Sequence, residues 1–423
     1  MTAPLDIIFI THKLPFPPHK GYQVKPYQFI KGLTRRGHRV HLVCPDGEDS
    51  AVAFAELSKI CASVKLVKIS VWASRIRAGF ALLNPWGESL SVAYFKSLAL
   101  KSAIGHLILT KKIDAFALYS STTAQYVPRN FQAKCLIDMG DIDSEKWREL
   151  AGKNTFPMSW VYRTEAKRLV AYEQTVIENF GATNLATEFE ADLLVDLDPA
   201  IRSTKILCVP NGTDTNLFSP GKVESAEIDQ LPVGEKRFFQ MDDKILITFV
   251  GAMDYAPNVE AVVFFAEEVL PKILQRHPTV CFIIVGGNPV GAVTNLANGS
   301  NIFVTGFVRA TTPYFRFAKV VVIPLRLARG IQNKALEGMA CSAPIVSTSL
   351  VARGVHASDF EQMLVADTAI DFANAVMKLI TDDELSAALG NRARQFVLNT
   401  YEWNPIIDQL AVRLESLVQN SGP

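Results

Sequence analysis

The stretch Arg329-Gly330-Ile331-Gln332-Asn333-Lys334-Ala335-Leu336-Glu337-Gly338-Met339-Ala340 brings two cations, a glycine turn and a carboxylate into one short segment. It follows the apolar run Val320-Val321-Val322-Ile323-Pro324-Leu325, which reads as a buried strand, and Leu336, Met339 and Ala340 then recur at helical spacing. A glycine-containing turn between a parallel strand and a helix N-terminus offers backbone N–H groups and the positive end of the helix dipole. That combination suits an anionic group such as a diphosphate. Glu337 falls in the second turn, too far inside to cap the helix. A carboxylate there could accept hydrogen bonds from a ribose. An ordinary αβ turn with a surface glutamate fits the same pattern.

A second concentration of chemistry is Asp138-Met139-Gly140-Asp141-Ile142-Asp143, with three carboxylates in six residues behind the apolar run Cys135–Met139. Such a cluster at a strand's carboxyl end is costly unless solvated, hydrogen-bonded or functional. Its spacing resembles part of a calcium loop, but no Glu stands at the required distance. Asp143, followed by Ser144-Glu145-Lys146-Trp147, fits an N-terminal helix cap. The seven histidines form no H-E-x-x-H pattern or close ligand cluster, and His12, just after the first strand, is the one to follow. The six cysteines form no C-x-x-C pair and mostly stand in apolar runs. They read as buried reduced thiols, which favours the cytoplasm.

The elements that position these residues alternate along the whole chain. Strands are expected at Asp6–Thr11, Arg39–Cys44, Ser63–Ile69, Ala115–Tyr119, Cys135–Met139 and Thr183–Ala186, with helices such as Val24–Arg36, Leu90–Thr110 and Ser159–Phe180 between them. Lys205–Gly212 closes this series, and a polar stretch through about Arg237 reads as a linker or surface excursion. A second series starts at Lys244–Gly251. It continues with helix Glu260–Arg276, strands Val280–Val285 and Ile302–Thr305, helix Thr312–Phe317, strand Val320–Pro324, helix Asn333–Cys341 and strand Ile345–Thr348. A short strand near Met363–Val365 and helices Ala369–Thr381 and Glu384–Asn399 follow. The spacing predicts an α/β protein of two doubly wound domains with parallel sheets, each binding ligands at the carboxyl ends of its strands. Two facing domains would enclose a cleft.

A chain of 423 residues, 49% hydrophobic and 20% charged, suits two globular domains. Its formal net charge of +1 and lack of a basic stripe with interleaved aromatics exclude a nucleic-acid module. The first apolar stretch is too short for a signal peptide and no window is long enough to span a bilayer, so a cytoplasmic protein is expected. Val71–Tyr94 mixes Trp72, Phe80, Leu82, Leu83 and Trp86 with Arg75 and Arg77. It reads first as core packing, and second as a surface for anionic lipid.

Several of these segments together resemble a known family. They are Thr11-His12-Lys13-Leu14-Pro15-Phe16-Pro17-Pro18 with Gly21, Asp138 to Trp147, Val209-Pro210-Asn211-Gly212-Thr213-Asp214 and Phe218-Ser219-Pro220. Gly251-Ala252-Met253-Asp254-Tyr255-Ala256-Pro257-Asn258, Thr305-Gly306-Phe307-Val308, Arg329 to Ala340 and Tyr401-Glu402-Trp403 complete the set. The chain resembles the GT-B glycosyltransferases of the large retaining family four. More narrowly, it is similar to the sugar transferases found with bacterial exopolysaccharide and PEP-CTERM/exosortase loci. The Pro-Asn-Gly-Thr-Asp and Gly-Ile-Gln-Asn-Lys…Leu-Glu-Gly-Met-Ala elements are specific together.

The resemblance implies a nucleotide-diphospho-sugar donor of the UDP or GDP type, transfer with retention, no required metal, and a glycan or lipid-linked acceptor. It implies an acceptor-side domain over residues 1–204, a donor domain over 205–400, and a last helix over 401–423 that crosses back to the first domain. It implies location in the cytoplasm, at the inner face of the membrane where the acceptor is lipid-linked. The family's Glu, seven residues, Glu pattern puts Glu337 at the ribose. The first position is Arg329, a reversal of sign that can grip phosphate oxygens in a forked geometry. The family's Arg and Lys after the first strand of the donor domain are missing from Gly251–Asn258, so Arg329 and Lys334, with Arg326 outside them, are expected to supply that charge. Gly251, Phe307 and Val308 are expected to line base and ribose, and Gly330, Ile331, Gln332 and Asn333 to cradle the diphosphate. Gly21 and Asp141 would lie on the acceptor side, with Asp141 or Asp138 orienting a hydroxyl. Two rival readings are a nucleotide-sugar epimerase on the same fold and a catalytically silent scaffold for polysaccharide assembly.

Overall fold

The computed structural model describes residues 3–18, 21–47, 50–84, 87–197, 205–223, 228, 232–241, 243–327 and 330–420. The chain divides into two compact units, Met1–Pro210 with Asn404–Pro423, and Asn211–Trp403.

The first unit holds a seven-stranded parallel sheet in the order β3-β2-β1-β4-β5-β6-β7. Its strands are β1 (Asp6–Thr11), β2 (Arg39–Pro45), β3 (Ser63–Val67), β4 (Ala115–Tyr119), β5 (Cys135–Gly140), β6 (Ala182–Leu185) and β7 (Ile206–Cys208). Ile7, Ile8, Phe9 and Ile10 are all fully buried. Consecutive residues can be so only because both faces of the sheet are covered. The covering helices are α1 (Gly21–Arg35), α2 (Ser50–Leu57), α3 (Val71–Leu83), α4 (Leu90–Phe95), α5 (Leu98–Thr110), α6 (Asp143–Lys153), α7 (Met158–Asn179) and α8 (Glu188–Leu197). The single helix expected over Leu90–Thr110 is two, because Ser97 caps a new helix by accepting from the Leu100 N–H.

Because β7 pairs with β6, the first unit runs on to Pro210 rather than ending at 204. From Asn404 onward the last helix, Trp403–Asn420, also belongs to this unit. It packs so closely that a Cβ on Gly32 of α1 would lie 2.1 Å from Ile407 Cγ2. Arg36 Nε and Nη2 donate to Glu415 at 2.7 and 3.0 Å, and His38 Nε2 lies 2.9 Å from the same carboxylate.

The second unit holds a six-stranded parallel sheet in the order β10-β9-β8-β11-β12-β13. Its strands are β8 (Ile245–Val250), β9 (Val280–Val285), β10 (Ile302–Val304), β11 (Val320–Ile323), β12 (Ile345–Ser347) and β13 (Leu364–Val365). The helix expected over Glu260–Arg276 is a helix at Ala256–Phe264, a π turn at Phe265–Val269 and a short helix at Leu270–Leu274. Pro271 lacks the N–H that an unbroken helix would use. The end of the expected linker is anchored in this unit: Phe238 and Phe239 are buried against Tyr314, whose hydroxyl donates to Glu235 at 3.0 Å. The Pro-Asn-Gly-Thr-Asp element lies against Tyr401-Glu402-Trp403, with Thr213 N donating to Tyr401 O and a Cβ on Gly212 excluded by the Trp403 ring at 2.8 Å.

Candidate functional site

In an open parallel sheet the order reverses at one point, and the carboxyl ends of the two strands there splay to leave a crevice. In the second unit that point lies between β8 and β11. Gly251 follows β8, and the helix Asn333–Ala340 follows β11. Gly251 and Lys334, 83 positions apart in sequence, are thus neighbours.

Lys334, in the first turn of that helix, turns inward. Its Nζ donates to Asn258 Oδ1 at 2.6 Å and stands 4.4 Å from the centre of the Phe249 ring. Asn258 is buried, and its Nδ2 donates in turn to Ala252 O at 2.9 Å. A Cβ on Gly251 would meet Asn258 Nδ2 at 2.6 Å and Lys334 Nζ at 3.1 Å, so a larger residue there would have to displace the amide that holds the ammonium. Lys334 is therefore no solvated loop residue. Burial pulls its pKa down to about 7, with Glu337 one turn on opposing the shift. The same burial pushes Glu337 up to about 7, opposed by Lys334. Both side chains are partly exposed, and the directions are what the surroundings fix.

The helix opens at Gln332, whose backbone is extended (φ −86°, ψ 101°) and whose side chain does not cap it. Ahead of it Gly330 adopts φ +59°, the left-handed turn that glycine takes without strain. Ile331 is buried, while Gln332 and Asn333 are half-buried, and Asn333 Oδ1 is a buried acceptor with no partner. Arg329 lies outside the described residues. Arg326 is exposed, with its guanidinium 5.3 Å from the Phe264 ring.

Loops after β8, β9 and β10 are tied together beside this point. Gly251 N donates to Val285 O, Met253 N to Gly287 O and Gly286 N to Gly306 O. Gly286 has φ +152°, and a Cβ there would lie 1.7 Å from Gly251 O. Phe307 is 76% exposed and covers Gly287, whereas Val308 is buried.

The first unit has its own switch point between β1 and β4. His12 follows β1 there. Its ring stacks on Tyr119 at 5.9 Å and meets Phe95 edge-on at 5.4 Å, and its Nδ1 is buried without a partner. Burial, helped by Lys13, lowers its pKa to about 3, so the ring is neutral. Gly21 opens α1 and is exposed.

The aspartates after β5 divide by partner. Asp138 is fully buried and paired with Lys25 at 3.0 Å, and Lys25 also donates to Val209 O, so Asp138 is a structural charge and not a free hydroxyl-orienting group. Asp141 is half-buried and 3.2 Å from Lys146, which also meets Asp143 at 2.9 Å. Asp143 is not the expected cap: it is the first residue of α6, behind Ile142. The cap comes from α7, where Glu173 accepts from the N–H groups of Asp143 and Ser144 and from Ser144 Oγ at 2.6 Å. Among the described residues no group of three His, Cys, Asp or Glu could hold a metal ion. All six cysteines are free, and Cys208 is exposed rather than buried.

Residues 244–382 match the family described as "Glycosyl transferases group 1". D-inositol 3-phosphate glycosyltransferase of Corynebacterium jeikeium (strain K411) is 24% identical over 272 residues, 60% of this chain and 61% of that protein. The chain thus spans about three fifths of the length of that curated relative. Sucrose-phosphate synthase from Thermosynechococcus elongatus superposes with a TM-score of 0.70 at 16% identity, covering 98% of this chain and 100% of that one. The fold is GT-B. The Anabaena protein HepE, in complex with UDP, superposes with a TM-score of 0.65 at 13% identity over 97% of this chain and 100% of that one. Gly251, Phe307, Val308, Gly330 to Asn333, Lys334 and Glu337 all fall within the matched segment of this GT-B chain. Gly21 and Asp141 fall outside it.

Asn258 is the functional candidate that sequence reasoning missed. It stands in the quoted Gly251–Asn258 motif, but nothing local says that its amide faces Lys334. The absence of a cation from that motif was the available signal.

Proposed function

We propose that this GT-B chain transfers a sugar from a nucleotide-diphospho-sugar of the UDP or GDP type to a glycan or lipid-linked acceptor, with retention, in exopolysaccharide biosynthesis. The observation that carries the reading is Lys334: a cation held over the Gly251 backbone, beside a helix N-terminus, at the strand-order reversal of the second unit. Holding a lysine where burial disfavours its charge is costly, and an anionic ligand recovers that cost.

In this reading the diphosphate lies against Lys334, Arg329 and the N–H groups of Gly330 to Asn333. Glu337 accepts from the ribose hydroxyls. Phe307 offers a ring face to the base, and Gly251 and Val308 line base and ribose through their backbone. Asn258 holds Lys334 in place. As the glycosidic bond breaks, negative charge grows on the departing nucleoside diphosphate, and Lys334 and Arg329 stabilise it. The leaving phosphate takes the acceptor proton. The first unit receives the acceptor near Gly21 and Asp141. The UDP complex of HepE and the activity named for the Corynebacterium relative support this reading.

Thermal shift against UDP-, GDP- and ADP-sugars tests it, because a true donor stabilises the folded state by linkage. A rise in Tm with one donor, lost in Lys334→Met, is expected. No shift with any donor overturns the reading. A shift without transfer to any acceptor, or epimerised donor in its absence, would return it to the silent scaffold or the epimerase.

A further inference from the structure

Helix α3, Val71–Leu83, faces the wrong way for a helix of a globular protein. Trp72 is 75% exposed, Ile76 53%, Phe80 70% and Leu83 78%. At spacings of four, four and three they form one stripe, which Arg75 and Gly79 share, and all of it is exposed. The face turned to the protein is made mostly of small residues: Ser74 and Ala81 are buried and Ala73 and Ala78 half-buried, with Arg77 and Leu82 half-buried beside them. The expectation of core packing for Trp72, Phe80 and Leu83 is therefore overturned, and Trp86 lies outside the described residues.

The orientation is fixed from the inner side. The Arg168 guanidinium of α7 donates to Ala81 O at 2.7 Å and to Asn84 O at 2.5 Å. Arg77 donates to Ser74 Oγ at 2.9 Å and to Ala93 O at 3.3 Å, and Ser70 caps the start. The apolar stripe is thus a held surface.

Charge identifies what covers it. Residues 57–113 carry nine Lys and Arg and a single acidic residue, Glu88, in a chain of formal net charge +1. Glu88 is paired with Lys96 at 2.8 Å. Lys65, Lys68 and Arg75 are exposed, and α3 itself contains no acidic residue. A second copy packed on this stripe about a two-fold axis would bring the two cationic segments together, which disfavours it. A flat, fluid surface with anionic headgroups over an apolar interior matches both the charge and the large exposed apolar side chains. Thirteen residues rise about 20 Å, too short to cross a bilayer, so the helix lies in its plane. Among the described residues no helix is long and apolar enough to cross a membrane.

We propose that α3 docks the first unit onto an anionic lipid bilayer. Trp72, Ile76, Phe80 and Leu83 enter the boundary between headgroups and acyl chains, while Arg75 and Lys68 meet lipid phosphates. The proposal does not rest on sugar transfer, and its test uses neither donor nor acceptor.

The test is co-flotation of the full chain with phosphatidylcholine vesicles, with and without phosphatidylglycerol. The wild type should float with the anionic vesicles, less so at high salt, and remain unbound with neutral ones. The Trp72→Glu/Phe80→Glu variant should lower vesicle partitioning at least about tenfold with Tm unchanged, since both side chains are outside the core. Ile76→Ser is the milder second variant and should weaken flotation in the same direction. A wild type that stays unbound with phosphatidylglycerol present overturns the proposal, as do variants that float like the wild type. A wild-type dimer that the variants convert to monomer, with no flotation by either, overturns it in favour of an interface between copies.

Discussion

Lys334 and Glu337 together should give donor affinity a maximum near neutral pH. In the free protein burial brings Lys334 from 10.5 down to about 7 and Glu337 from 4.5 up to about 7. A bound diphosphate favours the ammonium form, so the pKa of Lys334 rises on binding. Ribose hydroxyls donate to the ionised carboxylate, so that of Glu337 falls. Above pH 7 the free site holds a neutral Lys334 that must gain a proton for the donor to bind. Below pH 7 it holds a protonated Glu337 that must lose one. Each limb has a limiting slope of about tenfold per pH unit, or about 1.4 kcal/mol. Two pH units from the maximum the limit is about a hundredfold. Both side chains are partly open to water, and screening brings the expectation to about tenfold. Calorimetric titration with the nucleotide-sugar, in buffers of different ionisation heat, reads both affinity and proton exchange. Proton uptake is expected on the alkaline side and release on the acid side. Lys334→Met should flatten the alkaline limb alone, and Glu337→Gln the acid limb alone. Wild-type affinity that does not change across this range, or a limb that survives removal of its residue, would refute the reasoning.

Three further outcomes are expected. Glu337→Ala should weaken donor binding by about 1–3 kcal/mol through the lost ribose contact, and unchanged affinity would remove Glu337 from the site. Arg329→Ala should lower turnover while leaving Tm near the wild-type value, whereas equal activity would return Arg329 to a solvated turn. Glu415 is held down at about 2, chiefly by its hydrogen bonds from Arg36, with burial opposing. Its folded pKa lies below the ordinary 4.5, so its contribution is present above that value and is lost as pH falls through about 2. Glu415→Gln should therefore cost about 1–3 kcal/mol in denaturant titrations at neutral pH, and progressively less as pH falls from the ordinary 4.5 toward 2; a cost independent of pH would dissociate it from Arg36.

The parallel strands were legible because each is a short apolar run bounded by turn residues, a local pattern that needs no knowledge of its neighbours. The helix carrying Lys334 and Glu337 was legible for the same reason: Leu336, Met339 and Ala340 mark its buried face. Helix boundaries moved where one side chain intervened, as Ser97 did between α4 and α5.

What the sequence determined by itself was the alternation of elements, and with it two parallel sheets and a glycine turn entering a helix after β11. Only the tertiary structure decided which charges meet. Asp138 was a candidate to orient a hydroxyl until Lys25 of α1 came to lie on it, and Asp143 suited a cap until Glu173 of α7 filled that place. Lys334 could have been a solvated loop residue until the β8–β11 pairing brought Asn258 and Gly251 beneath it. Helix α3 shows the same limit from outside, since periodicity reveals that a helix has two faces but not which face the protein covers. Local pattern encodes period and propensity, whereas pairing and burial depend on strand order, which no local window contains.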